Sequence, residues 1–552
     1  MAAAGGPRCL SDLPDDVLRR TLYFAPAREG AATAVLSRRW RWLWRTSGAV
    51  NLDTRSFCSS HDEPEVQSQA QPWDWRFESY VRRFSIKGRE AFLCGAGEAL
   101  AAAAGPVTRL AVVVAEDSRI HPTLLVDGSK HDLIGAVIGN PAAQHVEELL
   151  VEVEDWNKEI TLSFGSLQSE TLRTARIISR GSITAARPDT AFQQLVDLHL
   201  ERCTVPLNDL QRIVDAAPKL EKLHLESCYM PPKEEEEEKE DEEFDGPVPN
   251  VVRRCRIVFP VVAAIVFARC TYPRKEVRLE LDAPRLRYLR YEGDVQHSDT
   301  LSLKQQAASS SYLARVDLDL SVDYHAGDQV REPFWRFIRN FSTVKVLKIQ
   351  LDFTMDRVAL VAKESQDDLL GGLLFRHLER LELQGQYEPR SKTSMVMLAN
   401  LLHCFPVLCD LRVKLSKDLT SRKRSSIDKE ARADFDKSVD RFRHRRSRTL
   451  SLSGENDINH EASYIPGLND ESLNCLQSYL RRVSLHFCME EPNCLGVQLA
   501  KFFVDNAMVL EETHIDDGSQ KMCEHMNTSV GRWIAKNSTK MRNLAGVTVL
   551  PC

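Results

Sequence analysis

A single spacing recurs along this chain, and few folds accommodate it. It runs apolar, two residues of any kind, apolar, one residue of any kind, apolar. The clearest copies are Leu195, Leu198 and Leu200, followed by Cys203, and Leu220, Leu223 and Leu225, followed by Cys228. They start 25 residues apart. Between them Leu210, Ile213 and Val214 fall at helical spacing, and Pro218 closes the stretch. The alternation at the last two apolar positions is that of a strand with one buried face. Each unit therefore reads as a strand, a turn and a helix. One such unit cannot bury its apolar face alone, whereas a stack of them makes a continuous core.

Weaker copies extend the series. Val107-Leu110-Val112, Val146-Leu149-Val151 and Leu172-Ala175-Ile177 precede the clear pair. Leu286-Leu289-Tyr291, Leu313-Val316-Leu318, Val344-Leu347-Ile349, Leu378-Leu381-Leu383, Leu408-Leu411-Val413 and Leu480-Val483-Leu485 follow it. The longest interval, from 220 to 286, holds an acidic insertion and has room for one degenerate copy. A period in this range is the leucine-rich-repeat pattern. The expected fold class is α/β, an irregular repeat solenoid with a parallel sheet on its concave face. The motif leucines belong to the core. Recognition falls to the outward positions, of which His199, Glu201, Arg202, His224, Glu226, Gln350, Asp352, Glu382 and Gln384 are the candidates.

The first fifty residues differ in kind. Pro14 suits the start of a helix, because its missing N–H has no helical partner there. Asp15 and Asp16 follow at the positive end of the helix dipole. Val17, Leu18, Thr21 and Leu22 make one apolar stripe, which Pro26 ends. A second helix is expected from Glu29 to Leu36. Ser37 caps a third, in which Trp40, Leu43 and Trp44 share a face among arginines. Three short helices enclose very little core. Three of the chain's eight tryptophans lie between residues 40 and 44, more than so small a bundle needs for itself. The surplus apolar surface reads as a docking face.

This segment resembles a plant F-box. The likeness is carried by Leu10, Leu13-Pro14-Asp15-Asp16, Leu18, Leu22, the Pro26-to-Glu29 turn, Val35-Leu36-Ser37-Arg38-Arg39-Trp40 and Leu43-Trp44. Two positions depart from the family, which usually has leucine where Ala25 stands and a bulkier residue near Gly30 or Ala31. The resemblance implies docking on the Skp-type adaptor of a cullin–RING ubiquitin ligase. It implies adaptor-contact or supporting roles for Leu10, Leu13, Pro14, Leu18, Leu22, Val35, Leu36, Trp40, Leu43 and Trp44. For Leu18, Leu22 and Trp40 the alternative is that they only hold the helices together. Leu13 and Pro14 are expected at the contact.

The C-terminal stretch from Tyr479 to Ile515 resembles the FBD-type region of plant F-box/leucine-rich-repeat proteins. Leu480, Val483, Leu485, Phe502, Phe503, Asn506, Ala507, Val509, Leu510 and Glu511 carry that likeness. A strand, a helix near Leu499 to Asn506 and a second strand are expected there, capping the solenoid. The full organisation reads as a three-helix module at 9–53, a linker at 54–72, repeats from 73 to 478 and the FBD-like region at 479–552. The repeats carry a disordered acidic insert at 233–247 and a basic loop at 420–449.

Charge and motifs exclude several functions. The formal charge is −6. Glu234 to Glu243 alone contributes nine acids and one lysine, so the remainder is close to neutral. No global field argues for nucleic acid or an anionic membrane as the main partner. The longest apolar run, Ile257 to Ala268, is too short to span a bilayer and contains Pro260. No secretory signal is read at the start, and the fourteen cysteines show no regular framework. Cys404 and Cys409 read as buried thiols rather than zinc ligands. Nucleus and/or cytoplasm is the expected location. Arg441 to Arg448 is a surface loop, an import signal or a nucleic-acid patch.

No phosphate loop, nucleophile elbow, zinc helix or RING-like Cys/His array is present. Neither an enzyme nor a cofactor is expected. The chain reads as the substrate-recognition subunit of a cullin–RING ligase, its repeats holding an unknown target protein. The alternatives are a non-degradative adaptor-binding scaffold and a ligand-dependent sensor using the repeat face.

Overall fold

The computed structural model describes residues 12–56, 90–115, 133–154, 161–163, 170–185, 192–232, 253–273, 277–295, 301–304, 313–322, 330–361, 363–388, 393–417, 473–487 and 495–516. Leu10, the linker from 57 to 72, the acidic insert and the basic loop lie outside them, as does the chain beyond 516. Two compact units are formed, Met1–Leu286 with Lys304–Gln306, and Arg287–Leu303 with Ala307–Cys552.

The first unit begins with α1 (Asp15–Phe24), α2 (Ala27–Ala32) and α3 (Arg38–Arg45). Pro14 stands just before α1, and its carbonyl accepts from Leu18 N at 3.1 Å. The second helix starts earlier than Glu29 and ends sooner than Leu36. Pro26 sets its start, and it tightens to a 3₁₀ turn at Thr33–Val35. The Thr33 hydroxyl donates to the Gly30 carbonyl at 2.6 Å, competing with the helical ladder there. Ser37 caps α3, its Oγ accepting from Trp40 N at 3.4 Å. Arg39 ties the starts of α3 and α1 together, through the Asp15 carboxylate and the Leu13 carbonyl, each at 2.7 Å.

Among the described residues, eleven strands follow in this unit. They are β1 (Ala49–Asp53), β2 (Arg109–Val114), β3 (Glu148–Val153), β4 (Thr161–Ser163), β5 (Thr174–Ile178), β6 (Ser182–Thr184), β7 (Asp197–Glu201), β8 (Lys222–Glu226), β9 (Arg253–Val258), β10 (Ala264–Ala268) and β11 (Val277–Asp282). The main sheet is parallel, in the order β1-β2-β3-β5-β7-β8-β10. Two further parallel pairings, β4 with β6 and β9 with β11, stand apart from it. Residues 49–53, read from sequence as the end of the helical module, are the first strand of the sheet. Thr54–Ser56, read as the start of a linker, form a 3₁₀ turn. Thr54 is buried there, its hydroxyl accepting from Ala115 N at 3.1 Å.

In-register stacking makes the core. Leu198, Leu223 and Ile265 share one rung and Leu200, Leu225 and Phe267 the next, all at most 3 % exposed. The helix Leu207–Asp215 buries Leu207, Leu210, Ile213 and Val214. After β7, β8 and β10 the backbone enters the left-handed region at Arg202, Ser227 and Arg269. A cysteine follows each. The Cys203, Cys228 and Cys270 thiols donate to the carbonyls of Ile177, Leu200 and Leu225 on the preceding strand. All three are free cysteines. Strand β10 fills the long interval with the degenerate copy Val262, Ile265 and Phe267.

The second unit repeats the scheme. Its strands are β12 (Tyr288–Asp294), β13 (Leu301–Leu303), β14 (Arg315–Ser321), β15 (Val346–Thr354), β16 (Arg380–Tyr387), β17 (Asp410–Lys417), β18 (Arg482–His486) and β19 (Glu512–Asp516). All except β13 pair in parallel in chain order. The helix Arg331–Arg339 contributes Phe334, Trp335, Phe337 and Ile338 to the core, and Trp335 Nε1 donates to the Val358 carbonyl at 2.8 Å. Cys404 is buried in the helix Thr393–Cys404, and burial pushes its thiol up to about 12. The FBD-like stretch has the expected strand, helix (Leu495–Asn506) and strand.

A fully buried leucine in such a column is worth about 1.5–3 kcal/mol in transfer alone. Leu223→Ala is expected to cost ~2–5 kcal/mol through the cavity between two rungs. The adjacent, exposed Lys222→Ala should stay within about 0.5 kcal/mol. Urea unfolding of the full chain, read by far-ultraviolet circular dichroism, checks the contrast.

Candidate functional site

Two surfaces concentrate the sequence candidates. On the N-terminal helices, Leu18, Leu22, Trp40 and Leu43 close a small core, with Leu13 and Trp44 packed against it. Their side chains are turned inward by the stripe that formed α1 and the i, i+3, i+4 spacing of α3, and Leu13, expected at the contact, packs against this core. Pro14 is exposed at the start of α1. Val35 and Leu36 are 89 % and 69 % exposed at the turn between α2 and α3. The structure adds three apolar side chains that sequence reasoning did not single out as contacts: Val17, Phe24 and Trp42, the last 60 % exposed. Trp42 had a signal, since it lies two residues from both Trp40 and Trp44, off their shared face.

Gly30 has a physical explanation. It is buried in α2, and the Trp44 indole occupies the space a Cβ would need. The missing bulk at position 30 is supplied by a tryptophan from α3.

The helices rest on the sheet. Asn51 of β1 donates its amide to the carbonyls of Tyr23 and Ala25, both at 2.9 Å, satisfying the end of α1. Arg45 Nε donates to the Ala102 carbonyl at 2.8 Å. The Arg109 guanidinium lies over the rings of Tyr23 and Phe24 and pairs with Glu148 at 3.0 Å. Burial and the Glu148 carboxylate raise the Tyr23 phenol above its ordinary value.

The second surface is the outward side of the strands. In the first unit β7 and β8 bring His199, Glu201, His224 and Glu226 together, because parallel pairing sets His199 opposite His224 and Glu201 opposite Glu226. The imidazoles stack, with centroids 4.0 Å apart and planes 3° from parallel. Arg176, on β5, pairs with Glu201 at 3.3 Å, and Arg269 pairs with Glu226. Arg202 lies 3.9 Å from Glu201. Burial, His224 and Arg176 lower the His199 imidazole to about 4.

In the second unit Gln350, Asp352, Glu382 and Gln384 all face outward on β15 and β16. They stand beside an ionic lattice that the sequence did not reveal. Asp410, nearly fully buried, receives Arg380 at 2.9 Å, Arg412 at 3.3 Å and Arg482 at 3.4 Å from three successive strands. Arg315 joins Asp317 at 2.8 Å to Glu382 at 3.5 Å. Partial desolvation of the outward-facing carboxyl, with the carboxylates of Asp319 and Asp294, pushes Asp352 up to about 6.

No helix among the described residues is long and apolar enough to cross a membrane. The fold is thus a leucine-rich-repeat protein with a three-helix module on its first strand. Comparison with known proteins agrees. Residues 134–364 match the family described as FBD-associated F-box protein At5g56370, LRR repeats. F-box/LRR-repeat protein At4g14103 of Arabidopsis thaliana is 34 % identical over 92 residues, 16 % of this chain and 24 % of that protein. Putative F-box/LRR-repeat protein At4g15060, also of Arabidopsis thaliana, is 24 % identical over 277 residues, 40 % of this chain and 62 % of that protein. MEIOTIC F-BOX protein MOF of Oryza sativa subsp. japonica is 50 % identical over 48 residues, 9 % and 10 % of the two chains. The aligned segments span less than two thirds of each relative. These matches make the chain a relative of plant F-box/leucine-rich-repeat proteins, FBD-associated ones included.

Two outcomes test the two surfaces. Gly30→Ala is expected to overpack α2 against Trp44 and cost about 1–3 kcal/mol, seen as a lower thermal midpoint. At Asp352 the folded-state value lies above the unfolded 3.8, so the folded chain holds more protons between about pH 4 and 6. Its contribution to stability therefore rises as pH falls through that window. Asp352→Asn should raise the midpoint at neutral pH and leave it nearly unchanged at pH 4, measured by thermal melts across the range.

Proposed function

We propose that this chain is the substrate-recognition subunit of an SCF-type cullin–RING ubiquitin ligase. The N-terminal helices dock on a Skp-type adaptor, and the outward face of the repeats holds a target protein. The chain itself is a receptor without catalytic groups. The ligase chemistry takes place on its partners, and this chain raises the rate by holding target and ubiquitin donor close. Nucleus and/or cytoplasm is the compartment this reading requires.

One observation carries the reading. The small core of α1 and α3 is closed, yet Val35, Leu36 and Trp42 remain in solvent beside it. A three-helix unit gains nothing for its own fold by exposing them, and an apolar patch of this kind marks a protein contact. The matches to proteins named F-box/LRR-repeat support the same conclusion. On the repeats, charged side chains are held in fixed pairs across one or two strands, a surface suited to reading a charge pattern on a target.

Co-purification with a Skp-type adaptor tests the docking. The intact chain should bind, and a Val35→Asp/Leu36→Asp variant should lose at least about tenfold in affinity without losing thermal stability. Point variants are preferred to a truncation after residue 70, because that cut also removes β1 from the sheet. An intact, folded chain that captures no Skp-type adaptor, or a variant that binds equally well, overturns the assignment.

A further inference from the structure

We propose that His199, His224 and Glu226 form a binding site for a divalent transition-metal ion of the zinc class. The argument starts from the ladder. Parallel pairing sets His199 of β7 directly opposite His224 of β8. The strand period of two puts Glu226 on the same face as His224, one step along. The ligating atoms of the three residues all lie within 4.8 Å of one another. His224 Nε2 stands 3.5 Å from Glu226 Oε2.

Three details separate this cluster from a chance meeting of polar residues. His199 Nε2 is buried and has no hydrogen-bond partner among the described residues, which is a costly state for a ring nitrogen. The two imidazoles stack face to face, with no hydrogen bond between the rings to account for the pairing. The Glu226 carboxylate is divided between two tasks. Its Oε1 is held by Arg269 and its Oε2 faces His224. An outer group that fixes one oxygen and leaves the other for an ion is the usual support of a metal-binding carboxylate.

The donor set selects the ion. Two imidazoles and one carboxylate suit Zn²⁺, Co²⁺ or Ni²⁺, whereas Ca²⁺ and Mg²⁺ require oxygen shells. Metal–nitrogen bonds of about 2.0–2.1 Å require the two rings to converge by rotating about their side-chain torsions. Both rings stand on the outward side of the sheet, where that rotation meets no packed core. Glu201 Oε2 lies 3.9 Å from His199 Nε2 but is engaged by Arg176, so three protein ligands and water complete the shell. Arg176, Arg202 and Arg269 are the neighbouring cations, and the last two follow directly on the strands that carry the cluster or its neighbour.

The test uses the full chain, freed of metal by chelation and titrated with Co²⁺. One ion per chain is expected, with the visible bands of a nitrogen- and oxygen-ligated site and no thiolate-to-cobalt charge transfer, and Zn²⁺ should displace it. A His199→Gln/His224→Gln variant should lose this event, and Glu226→Gln should weaken it about tenfold or more. Thermal midpoints in chelator establish that the variants are folded. A second readout needs no variant: Zn²⁺ should slow deuterium exchange at the imidazole C2 positions of His199 and His224, followed by mass spectrometry. The proposal is overturned if the chain binds no Co²⁺ with that spectrum, if the folded double variant binds equally, or if the slowed exchange falls on other histidines only.

Discussion

Every strand of this protein depends on its neighbour to cover an apolar rung. Leu198 and Leu200 are dry because Leu223 and Leu225 lie on one side of them and Ala175 and Ile177 on the other. No repeat closes its own core, so the stack needs an end that does not expose leucines. At β1 the end is made by the N-terminal helices. Asn51 completes the hydrogen bonding of α1, and Arg45 reaches the carbonyl of Ala102 at the end of the helix spanning residues 90–102. A module that a sequence comparison would treat as separable is built onto the first strand. The same helices then have two duties, covering the sheet edge with one side and presenting Val35, Leu36 and Trp42 with another.

The turns leaving the strands show how the repeat tolerates poor local geometry. Arg202, Ser227 and Arg269 all adopt the left-handed conformation, which costs a side-chain-bearing residue of order 1 kcal/mol or more. Each is followed by a cysteine whose thiol reaches back to the previous strand. Backbone bridges from Thr204 to Tyr229 and from Tyr229 to Thr271 continue the ladder past the turn. A single turn of this kind is unfavourable, and three in register hold one another.

What the sequence made legible follows from what apolar periodicity reports. The strands with leucine or another large aliphatic at all motif positions were visible, down to β18. Strand β1 was not, because Ala49 and Val50 lack the leading leucine and the strand sits against the tryptophan-rich helix. Strand β10 was hidden because Val262, Ile265 and Phe267 sit in a continuous apolar run, where alternation disappears. The pairs β4–β6 and β9–β11 stand outside the motif series: β11 alternates Val277, Leu279 and Leu281 and buries the last two, but Glu276 stands where the repeat has its leading apolar residue. At the surfaces, the outward positions were legible as a set, because the period of two assigns them to one face. Which of them cooperate was not. That depends on register across strands 25 or more residues apart, as for His199 with His224, or on residues outside the recognised copies, as for Arg269. Asp410 illustrates the limit: it reads as an ordinary strand-start polar residue until Arg412 of its own strand and Arg380 and Arg482 of the two neighbouring strands converge on it.

The two surfaces are built on opposite physical principles, and this bears on the proposed division of labour. The helical module offers apolar area, whose affinity comes from burial and varies little with the partner's fine sequence. That suits attachment to a constant component. The repeat face holds charges in pairs across its strands, as Arg176 with Glu201 and Arg380 with Asp410. Under the proposed function a target would gain there by matching the places where fixed pairs leave a carboxylate or guanidinium edge open, such as Glu382 between Arg315 and Arg412. A mismatched target meets like charges that the sheet holds in place and cannot relax away. Discrimination then comes from the penalty imposed on wrong partners more than from attraction to the right one. A rigid parallel ladder is suited to that task, because its register fixes the spacing of the charges along and across the strands.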